Sequence, residues 1–313
     1  QAVGFGRSGA PVMAEAAVRE RSPRIGVIGP GRAGTTVAAA CVRAGWPVVA
    51  VAGGSDASRA RFAASIAGVR TMEVAELPAG VDLVVVAVPD RAIAEVVDAM
   101  AVAGSLDERH RLVHLAGAHG CAPLRRAGLA GARIAACHPA MTMPATRIEP
   151  DVLVGAAWAV TVPSGADDRW AQQWVEGLGG QPFSVAESAR VNYHAALTVG
   201  ANAVGAAVAT ARQLLLAAGV NRPEAFLDPL VAASIGNVLR DGASALTGPV
   251  VRGDSDTVAA HLAALAADAP SLADAYRHLT WAILAQAKRM MTADDVARIE
   301  TVLAADSAER GAT

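Results

Sequence analysis

The first half of the chain alternates short apolar runs with segments of helical pattern. The apolar runs have the length of β-strands and cover residues 24–28, 47–52, 80–90, 111–115, 133–137, 158–162 and 182–185. Helical segments cover a stretch that follows Gly34 and ends at Gly45, then residues 56–67, 92–103 and 167–178. The run over 80–90 is almost uninterrupted, which is typical of a strand buried on both faces. This alternation predicts an α/β fold with a doubly wound, mostly parallel sheet.

The pattern changes near residue 187, after which strand-like runs disappear. The remaining helical segments are broken at Gly219, Gly242, Pro249 and Pro270. A chain of 313 residues also exceeds what one compact core usually holds. The sequence therefore predicts a flexible leader over residues 1–22, the sheet domain over 23–186 and an all-helical second domain over 187–313.

Residues 191–211 form an uncharged run long enough to cross a membrane. The run contains Asn192, Tyr193, His194 and Asn202 besides many glycines and alanines. Such a composition favours a helix buried between neighbours or across a dimer interface over one that faces lipid. We expect no membrane partner and a homodimer formed by the helical domain through residues 192–219.

A glycine motif follows the first predicted strand and runs directly into a helical segment. Its spacing is Gly-x-Gly-x-x-Gly. In this order the first glycine permits a tight turn, the second lets the backbone approach a pyrophosphate, and the third lets the helix pack closely. The helix N-terminus offers unpaired amides to the phosphates. The pattern predicts a Rossmann dinucleotide-binding domain whose loop contacts the cofactor through Gly29, Pro30, Gly31, Arg32, Ala33 and Gly34.

The end of the second predicted strand indicates which dinucleotide binds. An NAD site normally places an acidic residue there, whereas this chain has Gly53, Gly54 and Ser55. Small residues leave room for a 2′-phosphate, to which Ser55 can donate and with which Arg59 or Arg32 can pair. The sequence therefore favours NADP. Ser55 can equally serve as the cap of the next helix, and the two roles are compatible.

Composition limits the possible partners and the compartment. The formal net charge is −2, and no basic stripe is present, so we expect no nucleic-acid partner. The three cysteines, Cys41, Cys121 and Cys137, lack CxxC spacing, which fits a reducing, cytoplasmic location. No spacing among the histidines and cysteines matches a metal site, so none is expected. Lys288 is the only lysine, and a substrate carbonyl must therefore be polarised by another residue type.

Ligands of open α/β sheets lie outside the carboxyl ends of the strands. After the predicted strand at 80–90 and the strand at 111–115, this rule assigns cofactor contacts to Val88, Pro89, Asp90, Ala116 and Gly117. His138 follows the predicted strand at 133–137, where it can donate to a substrate carbonyl or carboxylate. A histidine before a proline is as often a hydrogen-bonded turn residue.

A polar loop in the helical domain supplies further candidates. Arg252 offers a planar fork for a carboxylate substrate, Asp254 can orient that arginine, and Thr247 can bond a substrate oxygen. The alternative is a plain helix-to-helix loop with Asp254 as N-cap, which leaves Arg252 unexplained. Asn202 lies in an apolar helix, where an unpaired buried amide is costly, so it should bridge helices or face the ligand.

These motifs together resemble a known type of bacterial protein. The resemblance rests on residues 29–34, 87–90, 138–139 and 193–196 with Asn202, and on residues 246–254. They are similar to proteins that join a Rossmann-like domain to a helical C-terminal domain of unknown function, of the DUF2520 type. That family is similar to the 6-phosphogluconate dehydrogenase-like reductases, and some members are regarded as alternative ketopantoate reductases. The resemblance adds His194 to the candidate catalytic residues, but the missing lysine prevents transfer of the ordinary ketopantoate reductase assignment.

The resemblance and the motifs imply an NADPH-dependent reductase. It would transfer hydride to a carbonyl or imine of a small carboxylic acid, with 2-dehydropantoate as the leading candidate. In this interpretation Arg252 anchors the carboxylate, and Asn202 or His138 polarises the reacting oxygen. Two alternatives are a protein that senses NADP(H) without turnover and a reductase of another cofactor such as a deazaflavin.

Overall fold

The computed structural model describes residues 22–143, 148–163 and 165–305. By its contacts the chain divides into two compact units, with the boundary between Ala195 and Ala196. The sequence pattern places that boundary after residue 186 instead. Residues 1–21 of the expected flexible leader lie outside the described part of the chain.

The first unit is an α/β domain built on one sheet. Its strands are β1 (Ile25–Ile28), β2 (Val48–Ala52), β3 (Arg70–Thr71), β4 (Leu83–Val86), β5 (Arg111–His114), β6 (Arg133–Pro139), β7 (Ala157–Thr161) and β8 (Gln181–Ser184). Its helices are α1 (Arg32–Arg43), α2 (Asp56–Ser65), α3 (Ile93–Val102), α4 (Arg125–Leu129) and α5 (Arg169–Gly177). The strand order is β3-β2-β1-β4-β5-β6-β7-β8. Only the β6–β7 pair is antiparallel among the described strands, which confirms the predicted doubly wound, mostly parallel sheet.

The central strands are apolar at every position because helices cover both faces of the sheet. Val27 and Val85 belong to the core on the face of α1, α2 and α5. Ile28 and Val84 belong to the core on the face of α3 and α4. Successive residues of a strand point to opposite faces, so two covered faces require a continuous apolar run.

The sheet departs from the sequence prediction at a few element ends. The strand predicted over 80–90 is confined to Leu83–Val86, because Leu77–Gly80 and Asp90–Ala92 form 3₁₀ helices. The two-residue strand β3 is too short to give an apolar pattern. His138, predicted to follow a strand, lies inside β6, which continues to Pro139.

The sheet brings the ends of β1, β4 and β5 together. Ile28 pairs with Val86, and Val86 pairs with His114, so the three strands end at the same level. From β1 the chain winds outward through β2 and β3, whereas β4 to β6 extend the sheet in the other direction. The gap between β1 and β4 is therefore a topological switch point, where open α/β sheets bind ligands.

The second unit is helical, and its described residues, 196–305, contain no strand. Its elements are the π-helical turn Val199–Ala203, α7 (Val204–Ala217), α8 (Pro223–Asp241), α9 (Ser255–Asp268), α10 (Pro270–Ala287) and α11 (Ala293–Ala304), and α6 (Arg190–Thr198) precedes them. A small core contains Val258, Leu262 and Ile299. Gly219 and Gly242 end α7 and α8 with φ of 83° and 65°, a conformation that glycine adopts without strain.

The helix that starts the second unit is not buried within the chain. Over Glu187–Ala217 the described chain has one helix long and apolar enough to cross a membrane, by length and composition only. None of its most apolar window is buried, and α7 contains no buried residue. This contradicts the expectation that neighbouring helices of the same chain bury it. The other expected explanation, a dimer interface, stays a prediction.

Candidate functional site

The glycine motif between β1 and α1 has a geometry that explains each glycine. Gly29 has φ of 98°, and a Cβ atom there would lie 2.6 Å from the Ala87 carbonyl oxygen. A Cβ atom on Gly34 would clash with the Gly29 carbonyl oxygen. A Cβ atom on Gly31 would meet nothing within 4 Å. Packing within the chain therefore requires Gly29 and Gly34, whereas the space above Gly31 is open to a ligand.

The N-terminus of α1 supplies unpaired amides beside this open space. Gly31 is the N-cap and has no side chain to accept a hydrogen bond. The amide of Thr35 donates to the Gly31 carbonyl oxygen at 2.9 Å, so the preceding amides of Arg32, Ala33 and Gly34 have no acceptor within the helix. The first turn also contains no acidic residue. A helix start of this kind binds phosphate, and these residues therefore fit the diphosphate of a dinucleotide.

Arg59 lies against the loop that follows β2. Its Nη1 donates to the carbonyl oxygens of Gly53 at 3.2 Å and Gly54 at 2.6 Å, and its Nη2 pairs with Asp56. The Arg59 side chain is 26% exposed, so one side of the fixed cation still faces solvent. Ser55 is the N-cap of α2, since its Oγ accepts the amide three residues later at 3.3 Å. The hydroxyl of Ser55 and the guanidinium of Arg59 thus both lie at the loop that follows β2.

The glycine loop and the loop after β2 are in contact. A Cβ atom on Gly54 would lie 2.8 Å from Cγ of Pro30, so only glycine fits there. Arg32, at the start of α1, is exposed. The structure therefore brings together the residues predicted to hold the diphosphate and those predicted to hold the 2′-phosphate.

The residues after β4 and β5 also meet. Val88 and Pro89 lead from β4 into the 3₁₀ turn that begins at Asp90. The Asp90 carboxylate lies 3.6 Å from Nε2 of His119, in the loop after β5, and both side chains are about half exposed. Ala116 lies in the same loop, two residues past the end of β5. A carboxylate and an imidazole thus flank the edge of the sheet at which the cofactor residues were predicted.

His114 braces the loop after β5 and is not available to a ligand. It is fully buried, and its Nε2 lies 2.7 Å from the Gly120 carbonyl oxygen, to which it donates. Its Nδ1 accepts the Ala116 amide at 3.1 Å. This pair of bonds requires a neutral ring with the proton on Nε2. Burial lowers the pKa of His114 to about 4, which keeps the ring in that form.

His138, Tyr193 and His194 form a cluster over Gly117. His138 Nδ1 lies 2.9 Å from the Tyr193 hydroxyl. The His138 and His194 rings are edge to face with centroids 5.9 Å apart. A Cβ atom on Gly117 would clash with the His194 ring and would lie 3.0 Å from Nε2 of His138. Gly117 is small because these rings occupy the space above it, a reason that differs from the predicted approach of a cofactor.

His138 is neutral near pH 7. Burial, together with the nearby side chains of His194, Arg190 and His114, lowers the pKa of His138 to about 4. The ring therefore donates from one nitrogen and accepts at the other. Nε2 has no hydrogen-bond partner among the described residues, so it is the atom that can act on a ligand.

Arg190 is buried directly beneath this cluster. It is 1% exposed, and its Nε donates to Thr161 Oγ1 at 2.8 Å. Its Nη2 donates to the carbonyl oxygens of Ala136 at 2.7 Å and Ala159 at 3.0 Å. Its Nη1 is buried and has no partner in the described chain. The guanidinium carbon lies 5.9 Å from the centroid of the Tyr193 ring, so a fixed positive charge faces that ring.

The predicted loop of the helical unit has the features of a helix cap with an unpaired arginine. Asp254 caps α9, accepting the Thr257 amide at 3.1 Å and the Thr257 hydroxyl at 2.8 Å. Gly253 has φ of 70°, and a Cβ atom there would clash with Asp295 of α11. The Arg252 amide donates to the Gly248 carbonyl oxygen at 3.2 Å, whereas its exposed side chain has no hydrogen-bond partner in the described part of the unit. The cap explains Asp254, as the alternative interpretation states, and leaves Arg252 available to a ligand.

Thr247 and Asn202 are exposed as well. Thr247 lies in the same loop as Arg252. Asn202 lies in the π-helical turn Val199–Ala203, and such turns in α-helices often occur at functional sites. The Asn202 side chain is exposed in the described chain, so burial does not require it to bridge helices, and its role in facing the ligand stays a prediction.

The described residues form no metal-ligand cluster, and two cavities of the first unit are lined by residues other than the predicted ones. No group of three histidine, cysteine or acidic side chains is placed to hold a metal among the described residues. Cavities of about 590 and 500 Å³ lie elsewhere in the first unit, and their linings contain no predicted site residue. Burial raises the pKa of the Cys41, Cys121 and Cys137 thiols, so these groups stay protonated.

Sequence reasoning did not single out Tyr193 and Arg190 as interacting residues. Tyr193 is separated from His138 by 55 positions along the chain, and no periodicity links them. Arg190 begins a helix, where a charge usually faces solvent. One sequence feature could have pointed to Tyr193. It is adjacent to His194 in the segment 193–196 on which the resemblance rests, but the resemblance implies no role for the tyrosine.

Two family models match successive parts of the chain, and the second match begins within the first unit of the fold. The model of a Rossmann-like domain matches residues 10–139. The model of a domain of unknown function, DUF2520, matches residues 156–283. Among curated proteins none matches this sequence.

Solved structures share the fold over most of the chain. A Bacteroides fragilis protein described as an NADP oxidoreductase is 22% identical, with a TM-score of 0.70, over 84% of this chain and 98% of that chain. An imine reductase from Myxococcus stipitatus in complex with NADP+ is 19% identical, with a TM-score of 0.61, over 84% and 92%. A pyrroline-5-carboxylate reductase from Coxiella burnetii is 17% identical, with a TM-score of 0.53, over 87% and 100%. By its two family models the chain joins a Rossmann-like domain to a DUF2520 domain.

Proposed function

We propose that this protein is an NADPH-dependent reductase that transfers hydride to a carbonyl or imine of a small carboxylic acid. The observation that carries the proposal is the difference between the glycines of the first loop. Gly29 and Gly34 are fixed by packing, whereas Gly31 borders open space at an uncapped helix start. A tight turn without a ligand has no need for a glycine at that middle position, and a dinucleotide does.

Solved structures of the same fold support reduction as the chemistry. The imine reductase binds NADP+ in its structure, and a pyrroline carboxylate reductase from Plasmodium falciparum was solved with NADP bound. By their names the two proteins are an imine reductase and a pyrroline carboxylate reductase. The proposal extends their cofactor and reaction class to this chain.

Arg59 supports NADP over NAD. The guanidinium is fixed by the Gly53 and Gly54 carbonyl oxygens at the end of β2, and no acidic residue follows that strand directly. Its bond with Asp56 is at the surface, and a 2′-phosphate of higher charge can replace it. Ser55 offers a hydroxyl at the same place.

The substrate proposal rests on Arg252. Its exposed fork is suited to a carboxylate, and Thr247 is in the same loop to bond a second substrate oxygen. Asp254 fixes the loop by capping α9. With Asn202 as a further donor, these groups suit a small acid, and 2-dehydropantoate is our leading candidate.

The residues of the first unit would have separate tasks in the reaction. The bound cofactor supplies a hydride to the substrate carbon. The amides at the start of α1 would hold the diphosphate, and Val88, Pro89 and Ala116 would contact the cofactor. His138, neutral and with Nε2 unpaired, donates a hydrogen bond to the reacting oxygen or nitrogen.

Calorimetric titration with NADPH and NADH tests the cofactor, and NADPH oxidation with a panel of 2-oxo acids and cyclic imines tests the reaction. We expect saturable NADPH binding, weaker NADH binding by about 10-fold or more, and turnover with at least one 2-oxo acid or cyclic imine.

Arg59→Ala should reduce the preference for NADPH over NADH, whereas Arg61→Ala, two positions further along the same helix, should not. Absence of NADPH binding contradicts the proposal. NADPH binding without turnover favours a protein that senses NADP(H). Turnover only with a deazaflavin favours a reductase of that other cofactor.

We also propose that a second copy of the chain covers the apolar surface of the helical unit. Val199 and Leu216 are 64% and 43% exposed on the segment predicted to form a dimer, and Phe226 and Leu230 of α8 are 59% and 64% exposed. A Cβ atom on Gly200 or Gly205 would meet nothing within 4 Å, which permits close approach of another helix. An exposed apolar surface of this extent usually marks an interface.

A further inference from the structure

The chain has two tyrosines, and each is bonded to a histidine in the same geometry. The Tyr193 hydroxyl lies 2.9 Å from His138 Nδ1, and the ring centroids are 5.7 Å apart at 86°. The Tyr276 hydroxyl lies 2.8 Å from His261 Nδ1, with centroids 5.6 Å apart at 85°. The second pair therefore serves as an internal reference for the first.

The two pairs differ in the charge that faces the tyrosine. The Arg190 guanidinium carbon is 5.9 Å from the Tyr193 ring centroid, and no cation lies over Tyr276 in the described chain. Burial raises the pKa of both tyrosines, and this effect is opposed by the Arg190 charge for Tyr193 and by a Thr280 side-chain hydrogen bond for Tyr276. A fixed cation beside a phenol stabilises its deprotonated form.

Arg190 cannot turn away from this position. Its Nε and Nη2 are held by a threonine hydroxyl and two carbonyl oxygens, and no carboxylate pairs with it in the described chain. Its buried Nη1 lacks a partner altogether, which is a costly arrangement. The charge is therefore only partly compensated by the protein, and it favours an anion nearby.

We propose that Tyr193 is the proton source of the reduction, acting through His138, and that Arg190 holds the resulting tyrosinate. The proposal rests on the proposed reductase function. In the step, His138 Nε2–H gives its proton to the substrate oxygen or nitrogen as the substrate carbon receives the hydride. The Tyr193 O–H proton passes to His138 Nδ1 at the same time. His138 ends neutral with its proton on the other nitrogen, and Tyr193 ends as a tyrosinate that solvent reprotonates.

The geometry suits this relay because the two nitrogens of His138 have different surroundings. Nδ1 is bonded to the Tyr193 hydroxyl, whereas Nε2 has no hydrogen-bond partner in the described chain and lies at the Gly117 end of the ring. A neutral histidine alone would become an anion on losing its Nε2 proton. Transfer from Tyr193 avoids that state and moves the negative charge to the residue that Arg190 faces.

Several other titratable groups surround His138, Tyr193 and Arg190. His194 packs on the His138 ring, and His114 and the thiols of Cys121 and Cys137 lie near Arg190 or His138. Glu187 is bonded to the Cys121 amide at 2.7 Å and the Ala122 amide at 3.3 Å. Glu187 therefore acts on Arg190 through its charge, but no described carboxylate forms an ion pair with the Arg190 guanidinium.

Tyrosine titration followed by NMR tests the role of Arg190 without any turnover. With ¹³Cζ-labelled tyrosine the chain gives two signals, and Tyr276→Phe leaves that of Tyr193 alone. In the Tyr276→Phe background, Arg190→Gln should raise the Tyr193 pKa by about one unit or more, whereas Arg190→Lys should raise it less. The Tyr276 signal, followed in the Tyr193→Phe background, should not respond to either change. An unaltered Tyr193 pKa in Arg190→Gln overturns the role of Arg190.

Kinetics test the relay itself, and they need no Arg190 variant to fold. Tyr193→Phe should lower kcat by about 100-fold and leave NADPH binding within about twofold, because it removes a proton and not a cofactor contact. Tyr276→Phe is the matched control and should leave kcat unchanged. If wild type turns over and Tyr193→Phe is as fast, the relay is wrong while the reductase proposal stands. If wild type binds NADPH but reduces no substrate, the proposed function fails and the relay fails with it.

Discussion

Burial decides what each histidine at the sheet edge can do. His114 is bonded at both ring nitrogens, to the Gly120 carbonyl oxygen and the Ala116 amide, and its pKa is lowered to about 4 mainly by burial. The folded-state pKa thus lies below the unfolded value near 6.5, so the unfolded chain binds the additional proton as pH falls. We expect His114 to remove about 3 kcal/mol from the free energy of unfolding between pH 6.5 and pH 4.

Chemical denaturation at several pH values checks this expectation with His114→Gln. The variant should be less stable than wild type at pH 7 by about 1–3 kcal/mol, because a buried hydrogen bond is lost, but its stability should fall less steeply below pH 6.5. His278→Gln replaces an exposed histidine and should keep the wild-type slope. Equal slopes for His114→Gln and wild type would show that His114 is not the group that titrates.

At the scale of single residues, the sequence identifies those residues whose type is required by the backbone within a few positions. The glycines of the first loop and the Ser55 cap follow from backbone geometry within a few positions, and the structure places both where the pattern indicates. The bond between His138 and Tyr193 and the burial of Arg190 depend on strands and helices that pack together far along the chain. No local pattern contains that information.

In the loop between β1 and α1 we expect folding and cofactor binding to depend on different glycines. A Cβ atom on Gly34 would clash with the Gly29 carbonyl oxygen, whereas on Gly31 it would meet nothing within 4 Å, and Gly31 has φ of −80°. Gly34→Ala should therefore destabilise the protein by about 1–3 kcal/mol. Gly31→Ala should change stability by less than about 0.5 kcal/mol.

Gly31→Ala should affect cofactor binding although it leaves stability nearly unchanged. Its alanine methyl group would occupy the space of the diphosphate, so Gly31→Ala should weaken NADPH binding by about 10-fold or more, or about 1.4 kcal/mol. Thermal unfolding without ligand and calorimetric titration with NADPH measure the two effects separately. Tight NADPH binding by a folded Gly31→Ala variant would exclude this loop as the diphosphate site.

Among the elements, the buried strands were the most predictable. Strands covered on both faces must be apolar throughout, and β1, β2, β4 and β5 lie within the apolar runs of the sequence. Their ends were less predictable, since 3₁₀ helices replace both ends of the run at 80–90. The π-helical turn Val199–Ala203 gives no sequence signal, because it differs from an α-helix only in its hydrogen-bond spacing.

At the scale of the whole molecule, the two units differ in how much of their apolar surface the chain itself covers. The sheet unit has two cores, one on each face, whereas the core of the helical unit contains six buried residues. Composition predicts two domains but not this difference. It arises because helices α7 and α8 leave apolar side chains that no described residue covers, and such a surface usually marks an interface.

We expect that a second copy covers this surface and that one charge placed on it separates the copies. Val199 is 64% exposed in the middle of the apolar segment, so Val199→Glu should cost little in the single chain and much in the dimer, where a carboxylate would be buried unpaired. Val102, 78% exposed at the end of α3, gives the matched control Val102→Glu.

Light scattering after size exclusion should give twice the single-chain mass of 31.6 kDa for wild type and for Val102→Glu. Val199→Glu should raise the dissociation constant by about 100-fold, or about 2.7 kcal/mol, and give the mass of one chain when diluted. A monomeric wild type contradicts this prediction, and flotation of wild type but not of Val199→Glu with lipid vesicles would assign the surface to a membrane.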